Sequence, residues 1–237
     1  MAAGTPLKRF YREARAAACA GGFSVRLDGR DIRTPSKSPL MLPTIALAEA
    51  VAEEWAAQGA RVEPATMPLM SLACTAIDQV APNRAAVVGE LMSYAGSDLL
   101  CYRAEHPEAL VARQVAHWQP LLDWAARDLD AALRVTRGIR HEPQSEDALA
   151  ALRAAVEALD DFSLTALDSA TRTSGSLVVA LAFQRGRLDA AAAFAVAELD
   201  STFQIEQWGE DPEAARRRAA VLADLAAARR FLDLLSD

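Results

Sequence analysis

The hydrophobic period of this chain changes about one third of the way along it. Before Pro82 short alternating runs mix with stripes spaced by three and four, and after it the helical spacing takes over. Phe23, Val25 and Leu27 alternate with polar neighbours, Asp28-Gly29 follows, and Ile32 then sits between Asp31 and Arg33. Alternation around an Asp-Gly pair predicts a hairpin, because both central positions of the tight turn take positive φ. Gly21-Gly22 is expected to open this hairpin and Thr34-Pro35 to close it, with a short strand at 40–42 cut by Pro43. Thr44 reads as the N-cap of a helix with the apolar stripe Ile45, Ala48, Val51, Ala52 and Trp55, stopped by Gly59. Glu49, Glu53 and Glu54 fall outside that stripe. Positions 61–63 and 66–67 read as a further strand, before a helix from about 69 to 80.

Beyond Pro82-Asn83 the helical period predicts helices at roughly 84–95, 107–130, 145–160, 163–185, 188–208 and 212–235, with 98–103 extended or irregular. The helix at 107–130 carries Leu110, Val111, Trp118, Leu121, Leu122, Ala125 and Leu129 largely on one side, as a bundle helix requires. The expected fold class is α+β. Residues 1–82 form a small mixed N-terminal domain, a hairpin-containing sheet plus a helix, and 83–237 an all-α helical bundle.

Composition narrows the function classes. The 237 residues are 52% hydrophobic and 24% charged, with 25 basic and 32 acidic side chains and a net charge of −7. A full core is affordable, and an acidic balance argues against non-specific nucleic-acid or anionic-lipid binding. The uncharged apolar run 177–183 is far below the ~20 residues that span a bilayer. Cys19, Cys74 and Cys101 are odd in number and widely spaced, which reads as reduced thiols in a cytoplasmic protein. The wealth of Ala and Arg, with lysine at Lys8 and Lys37 alone, suggests a GC-rich bacterial source. Lys8, Arg9, Arg12 and Arg15 among alanines look superficially like a transit peptide, but Glu13 interrupts the run.

No motif points to catalysis. The phosphate-cradling GxxxxGK[ST], the dinucleotide GxGxxG, the nucleophile-elbow GxSxG and the zinc-binding HExxH are all missing, so no cofactor and no metal site is expected. Ser174-Gly175-Ser176 lies in a helical pattern, where small residues permit close packing. Ser97-Asp98 is turn chemistry. An enzyme or small-ligand reading would have to use an interdomain cleft, with Asp98, Arg103 and His106 near it in sequence.

The segment 198–211 is more informative. At about 100° per residue, Phe194, Ser201, Ile205 and Trp208 share one side, with Val196, Leu199 and Phe203 nearly opposite. A helix apolar on two sides is expected to be sandwiched in the bundle, with Phe203 and Trp208 as core anchors and Gly209 as the C-terminal cap. Asp200 and Gln204 occupy one polar strip; Glu198, Thr202 and Glu206 occupy the other. Such strips are either solvent-facing with local ion pairs or offered to a partner.

Several segments together carry a resemblance: Lys8-Arg9-Phe10-Tyr11, Gly22-Phe23, Leu27-Asp28-Gly29-Arg30, Thr34-Pro35, Glu54-Trp55, Asp98-Leu99-Leu100-Cys101-Tyr102-Arg103, Trp118-Gln119-Pro120 with Trp124, and Phe203-Gln204-Ile205 with Trp208-Gly209. In this order, over about residues 8 to 235, the chain resembles the assembly chaperone family of the ATP synthase F(1) sector. The resemblance implies a non-enzymatic, cytoplasmic, monomeric chaperone with a mixed N-terminal and a helical C-terminal domain. It would bind the unassembled alpha subunit and shield the surface that alpha later buries against beta, without nucleic acid or membrane insertion. It also implies a partner-binding role for Asp200, the family's acidic position three residues before the aromatic of its aromatic-Gln-Ile block, with Gln204 and Glu206 as neighbours. Relatives place further acids at the next two positions, where this chain has Ser201 and Thr202. Trp55 matches another family position, and its place on the apolar stripe assigns it to folding.

Overall fold

The structure, a computed structural model, describes residues 8–138 and 140–236. Their contacts form two compact units. The first runs to Arg84 and includes Asp161–Thr165 and the chain from Arg230 onward; the second holds the rest.

In the first unit the hairpin at Asp28-Gly29 is the second of two. Strands β1 (Ala14–Cys19) and β2 (Gly22–Leu27) pair antiparallel with Ala16 opposite Val25, and β3 (Arg30–Asp31) joins the other edge of β2. Asp28 (φ 48°) and Gly29 (φ 80°) supply the left-handed pair of the turn. The Asp28 carboxylate then accepts the backbone N–H groups of Glu13 and Arg12, which hold its pKa below the usual aspartate range. Strand β1 was invisible in the pattern because Ala-Arg-Ala-Ala-Ala-Cys has no alternation and alanine is a poor strand former. The basic, Ala-rich stretch is thus the sheet edge and its lead-in, with Arg9 donating to the carbonyls of Ala56 and Gln58.

The expected strand at 40–42 shrinks to one bridge, in which Phe23 and Leu42 exchange backbone bonds of 2.9 and 2.7 Å. That approach requires Gly22, since a Cβ there would lie 2.6 Å from the Leu42 carbonyl oxygen. Neither 61–63 nor 66–67 is a strand: Arg61 bridges Lys8, and Pro64–Thr66 is a 3₁₀ turn opened by its proline.

Helix α1 (Ile45–Ala56), capped by Thr44, packs on β1 and β2. Its buried face is Leu47, Ala48, Ala50, Val51 and Ala52, together with Glu54, whereas Ile45 is exposed and Trp55 half-buried. The stripe is therefore rotated from the expected one, and an acid lies inside it. The reason is α2 (Pro68–Thr75), whose first backbone N–H groups need acceptors. Glu54 Oε1 and Oε2 accept from Leu69 and Met70, each at 2.8 Å. Burial raises the Glu54 pKa, and these two bonds oppose the shift. After α2 the expected helix to residue 80 continues as a π turn, Ala76–Val80. The chain end returns to this unit, where Thr44 donates to the Leu234 carbonyl and Phe231 stacks on Phe162 with centroids 6.1 Å apart.

The second unit is helical but not wholly so. It contains α3 (Arg84–Gly96) apart from its first residue, α4 (Glu108–Asp128), α5 (Glu146–Glu157), most of α6 (Asp161–Ser174), α7 (Leu177–Gln184), α8 (Ala190–Ala197), α9 (Leu199–Trp208) and most of α10 (Pro212–Asp233). The expected α+β class, a sheet-containing N-terminal region followed by a helical one, is what the structure has, and the helical unit adds a two-residue parallel pair, β4 (Tyr102–Arg103) with β5 (Thr136–Arg137). The expected helix 163–185 is broken by Ser174-Gly175-Ser176. Gly175 takes φ 71°, and Ser176 caps α7 through Val179 N–H. Asp98, fully buried, closes that break by accepting from Ser176 Oγ (2.7 Å), Val178 N–H and Leu100 N–H. Burial raises its pKa, with these bonds opposing.

Glu54→Ala strands two helix N–H groups in the interior. It is expected to lower the unfolding free energy by about 3 kcal/mol in urea titration, while Glu54→Gln, which keeps one acceptor, loses about half as much.

Candidate functional site

Helix α9 follows α8 after a single non-helical residue, Glu198 (φ −97°, ψ 19°), so the expected helix 188–208 is two segments. Leu199 and Phe203 are buried, and so is Val196 on α8. The opposite side is not. Ser201 and Ile205 are half-buried, and Trp208, expected as a core anchor, is 79% exposed. The apolar side toward Trp208 therefore lies open at the end of the helix rather than between two layers. Gly209 ends the helix at φ 85°, its N–H bonded to the Ile205 carbonyl.

The acids of the two polar strips find partners on two helices, Glu198 on α10 and both Asp200 and Glu206 on α4. Glu198 is buried and meets Arg217 (2.6 Å) and Arg218 (3.1 Å) of α10, and Arg218 also donates to Thr202. Glu206 pairs at the surface with Arg113 of α4 at 2.8 Å, which holds its pKa below the usual glutamate range. Asp200 is half-buried and accepts from Gln114 Nε2 of α4 at 2.8 Å. Gln204 is exposed. Asp200, Gln204 and Glu206 thus lie on one helix, with Trp208 beyond them.

Under α9, Trp118 of α4 is fully buried and donates its indole N–H to the Val196 carbonyl. The Arg103 guanidinium lies over the Trp118 ring and donates to the carbonyls of Leu100 and Gln114. Arg103 and Asp98 are therefore committed to the fold, and His106 is exposed. No group of three or more His, Cys, Asp or Glu side chains among the described residues could hold a metal ion, and none of their helices is long and apolar enough to cross a membrane.

Trp55 lies in the first unit, where its carbonyl accepts from Tyr11 Oη (2.7 Å) and its ring meets Tyr11 edge-on. Its Nε1 is buried with no hydrogen-bond partner among the described residues. The indole borders an open cavity of about 550 Å³, with Thr34, Met67, Met70, Cys74 and Asp78 among its other walls.

The signals missed in the sequence were Gln114 and the arginines. Gln114 lies between apolar positions of α4 with nothing local to mark it. The partners of Glu198 and Glu206 are 19 and 93 residues away.

Two substitutions separate the buried pair from the exposed one. Glu198→Ala removes the buried carboxylate shared by Arg217 and Arg218, leaving Arg218 with Glu210 as its remaining ion-pair partner among the described residues, and is expected to cost about 2 kcal/mol in urea unfolding. Glu206→Ala, at the surface, is expected to cost below about 1 kcal/mol.

Known proteins share this arrangement of elements. Residues 8–126 match the family model described as ATP12 chaperone protein. Protein atp12, mitochondrial, of Schizosaccharomyces pombe is 25% identical over 215 residues, 85% of this chain and 74% of that one. Atp12 from Paracoccus denitrificans superposes with a TM-score of 0.93 at 47% identity, covering 97% of this chain and 98% of that one. An aspartate-to-lysine mutant of the P. denitrificans protein gives 0.92 at 46%, with the same coverage. A putative chaperone from Agrobacterium tumefaciens gives 0.93 at 43%, covering 97% and 86%. With a family model spanning half of it and solved structures matching nearly all of it, the chain belongs to the ATP12 chaperone family, a family of ATP synthase assembly chaperones.

Proposed function

We propose that the protein binds the unassembled alpha subunit of the ATP synthase F(1) sector as a monomer, through the open side of α9. The observation that carries this reading is the geometry of that helix. One side is anchored in the core by Leu199 and Phe203, and the rest presents Asp200, Gln204, Glu206 and the exposed Trp208. An exposed tryptophan beside charged and amide groups is the composition of an interaction hot spot.

A subunit destined for a large apolar interface carries an aggregation-prone surface while it waits for its neighbour. A chaperone for it must cover that surface and then lose it to beta. Differential affinity is sufficient to drive that exchange, so no hydrolysis is needed. Asp98 and Arg103, the acid and base nearest to a catalytic arrangement in the sequence, are instead bonded into the interior.

Co-refolding tests the reading. Light scattering and gel filtration should show suppressed aggregation and a defined complex with the cognate alpha subunit, and neither with beta. Asp200→Lys is expected to weaken alpha binding at least ~100-fold. Its circular dichroism should be unchanged and its melting temperature within about 4 °C of wild type. Unimpaired alpha binding by a folded Asp200→Lys protein would remove α9 from the interface.

A further inference from the structure

The three acids in 198–206 have three different electrostatic situations, and only one is left open; beyond them Glu210 pairs with Arg218, and Asp211 accepts the Glu213 and Ala214 N–H groups at the start of α10. Glu198 is neutralised by two arginines and Glu206 by one. Asp200 has no ion-pair partner among the described residues. Its Oδ1 is held by Gln114, a neutral amide. Arg103 is close enough that the Asp200 charge opposes the lowering of its pKa by burial, but it donates to the Leu100 and Gln114 carbonyls and to Gln119 Oε1.

Gln114 is built to hold this carboxylate in one place. It is 1% exposed, and its Oε1 accepts the Ala104 backbone N–H at 2.9 Å. With the oxygen so engaged, the amide cannot be flipped without losing that bond, and Nε2 must face Asp200. The Gln114 carbonyl is itself fixed by Arg103 at 2.7 Å. Asp200 Oδ1 is therefore pinned to the second unit's interior, and Oδ2 meets no donor among the described residues. A half-buried, singly bonded carboxylate attracts an arriving cation more strongly than a solvated one, because the effective dielectric is lower there.

Resting on the alpha-subunit reading, we propose that Asp200 receives a cationic side chain of the client, and that Gln114 is the positioning residue that presents the carboxylate to it. Glu206 and Glu198 are excluded as receivers because their charges are already matched within the fold.

The test is a double-mutant cycle on the affinity for refolded alpha, run at low and high salt with melting curves for each protein. Asp200→Asn keeps the size of the side chain and an acceptor for Gln114 but removes the charge. It is expected to weaken binding about tenfold or more at 50 mM salt, the gap narrowing to about threefold at 0.5 M as the client's cation is screened. Gln114→Leu is expected to weaken binding about tenfold in the Asp200 protein and less than about twofold when combined with Asp200→Asn. A gap that ignores salt would overturn the cation. Equal losses from Gln114→Leu in both backgrounds would make Gln114 structural.

If Gln114→Leu melts too early to assay, Gln114→Met removes the amide while keeping the length of the side chain. It should bind alpha about as weakly as expected for Gln114→Leu, and wild-type affinity from that folded variant would overturn the positioning role. Should wild type bind alpha while Asp200→Lys and Asp200→Asn both bind as well, the α9 reading itself fails. Absence of any wild-type binding to alpha would defeat the chaperone–client assignment, and this inference with it.

Discussion

A buried helix start must find acceptors for its first N–H groups, and in each unit one buried carboxylate provides them. Glu54 holds the start of α2 against α1 in the first unit. Asp98 holds the start of α7 against the turn at 99–101 in the second. Each acid is placed where its charge would be costly were it not saturated with donors, and each therefore fixes the mutual position of two segments distant in sequence. From Asp98 the turn leads directly to Arg103, which lies over Trp118 and fastens the Gln114 carbonyl. The side chain of Gln114 then reaches Asp200. The proposed contact helix thus inherits its placement from an interior acid about a hundred residues earlier.

Such a chain of constraints suits the proposed task of offering a surface to a client. The side chains that look reactive in isolation are spent on structure. Those that remain open lie on a helix whose other side is locked by Leu199, Phe203 and the Glu198 pair with α10. A rigid mount limits the side-chain entropy lost when a partner docks.

Legibility of the sequence followed the range of the interactions. The Asp28-Gly29 turn, the Thr44 cap and the long helices α4, α5 and α10 were readable because turn chemistry, capping and helical period are local. Strand β1 was not, since its six residues pair only because β2 lies alongside. Ser174-Gly175-Ser176 reads as tight packing within a helix, although serine before an apolar run is also a cap; what decides between them is Asp98, 78 residues away from Ser176. The same limit explains Glu54, which sits on the wrong side of the expected stripe until α2 needs an acceptor. In the candidate site Asp200, Gln204 and Glu206 could be named from the helix and the family resemblance. Which of the two acids carries unmatched charge depends on Arg113 and Gln114, and no spacing rule connects those to α9. Trp208 failed for a simpler reason: periodicity assigns a side to a residue but not whether anything covers that side.

The openness of Trp208 has an optical consequence. Of the four indoles in the chain, Trp118 and Trp124 are buried and Trp55 is partly covered, which leaves Trp208 as the one bathed in solvent. The long-wavelength edge of the intrinsic fluorescence, and its accessibility to a dissolved quencher, therefore belong chiefly to the tip of α9. The protein carries a native reporter at the place where a client would cover it.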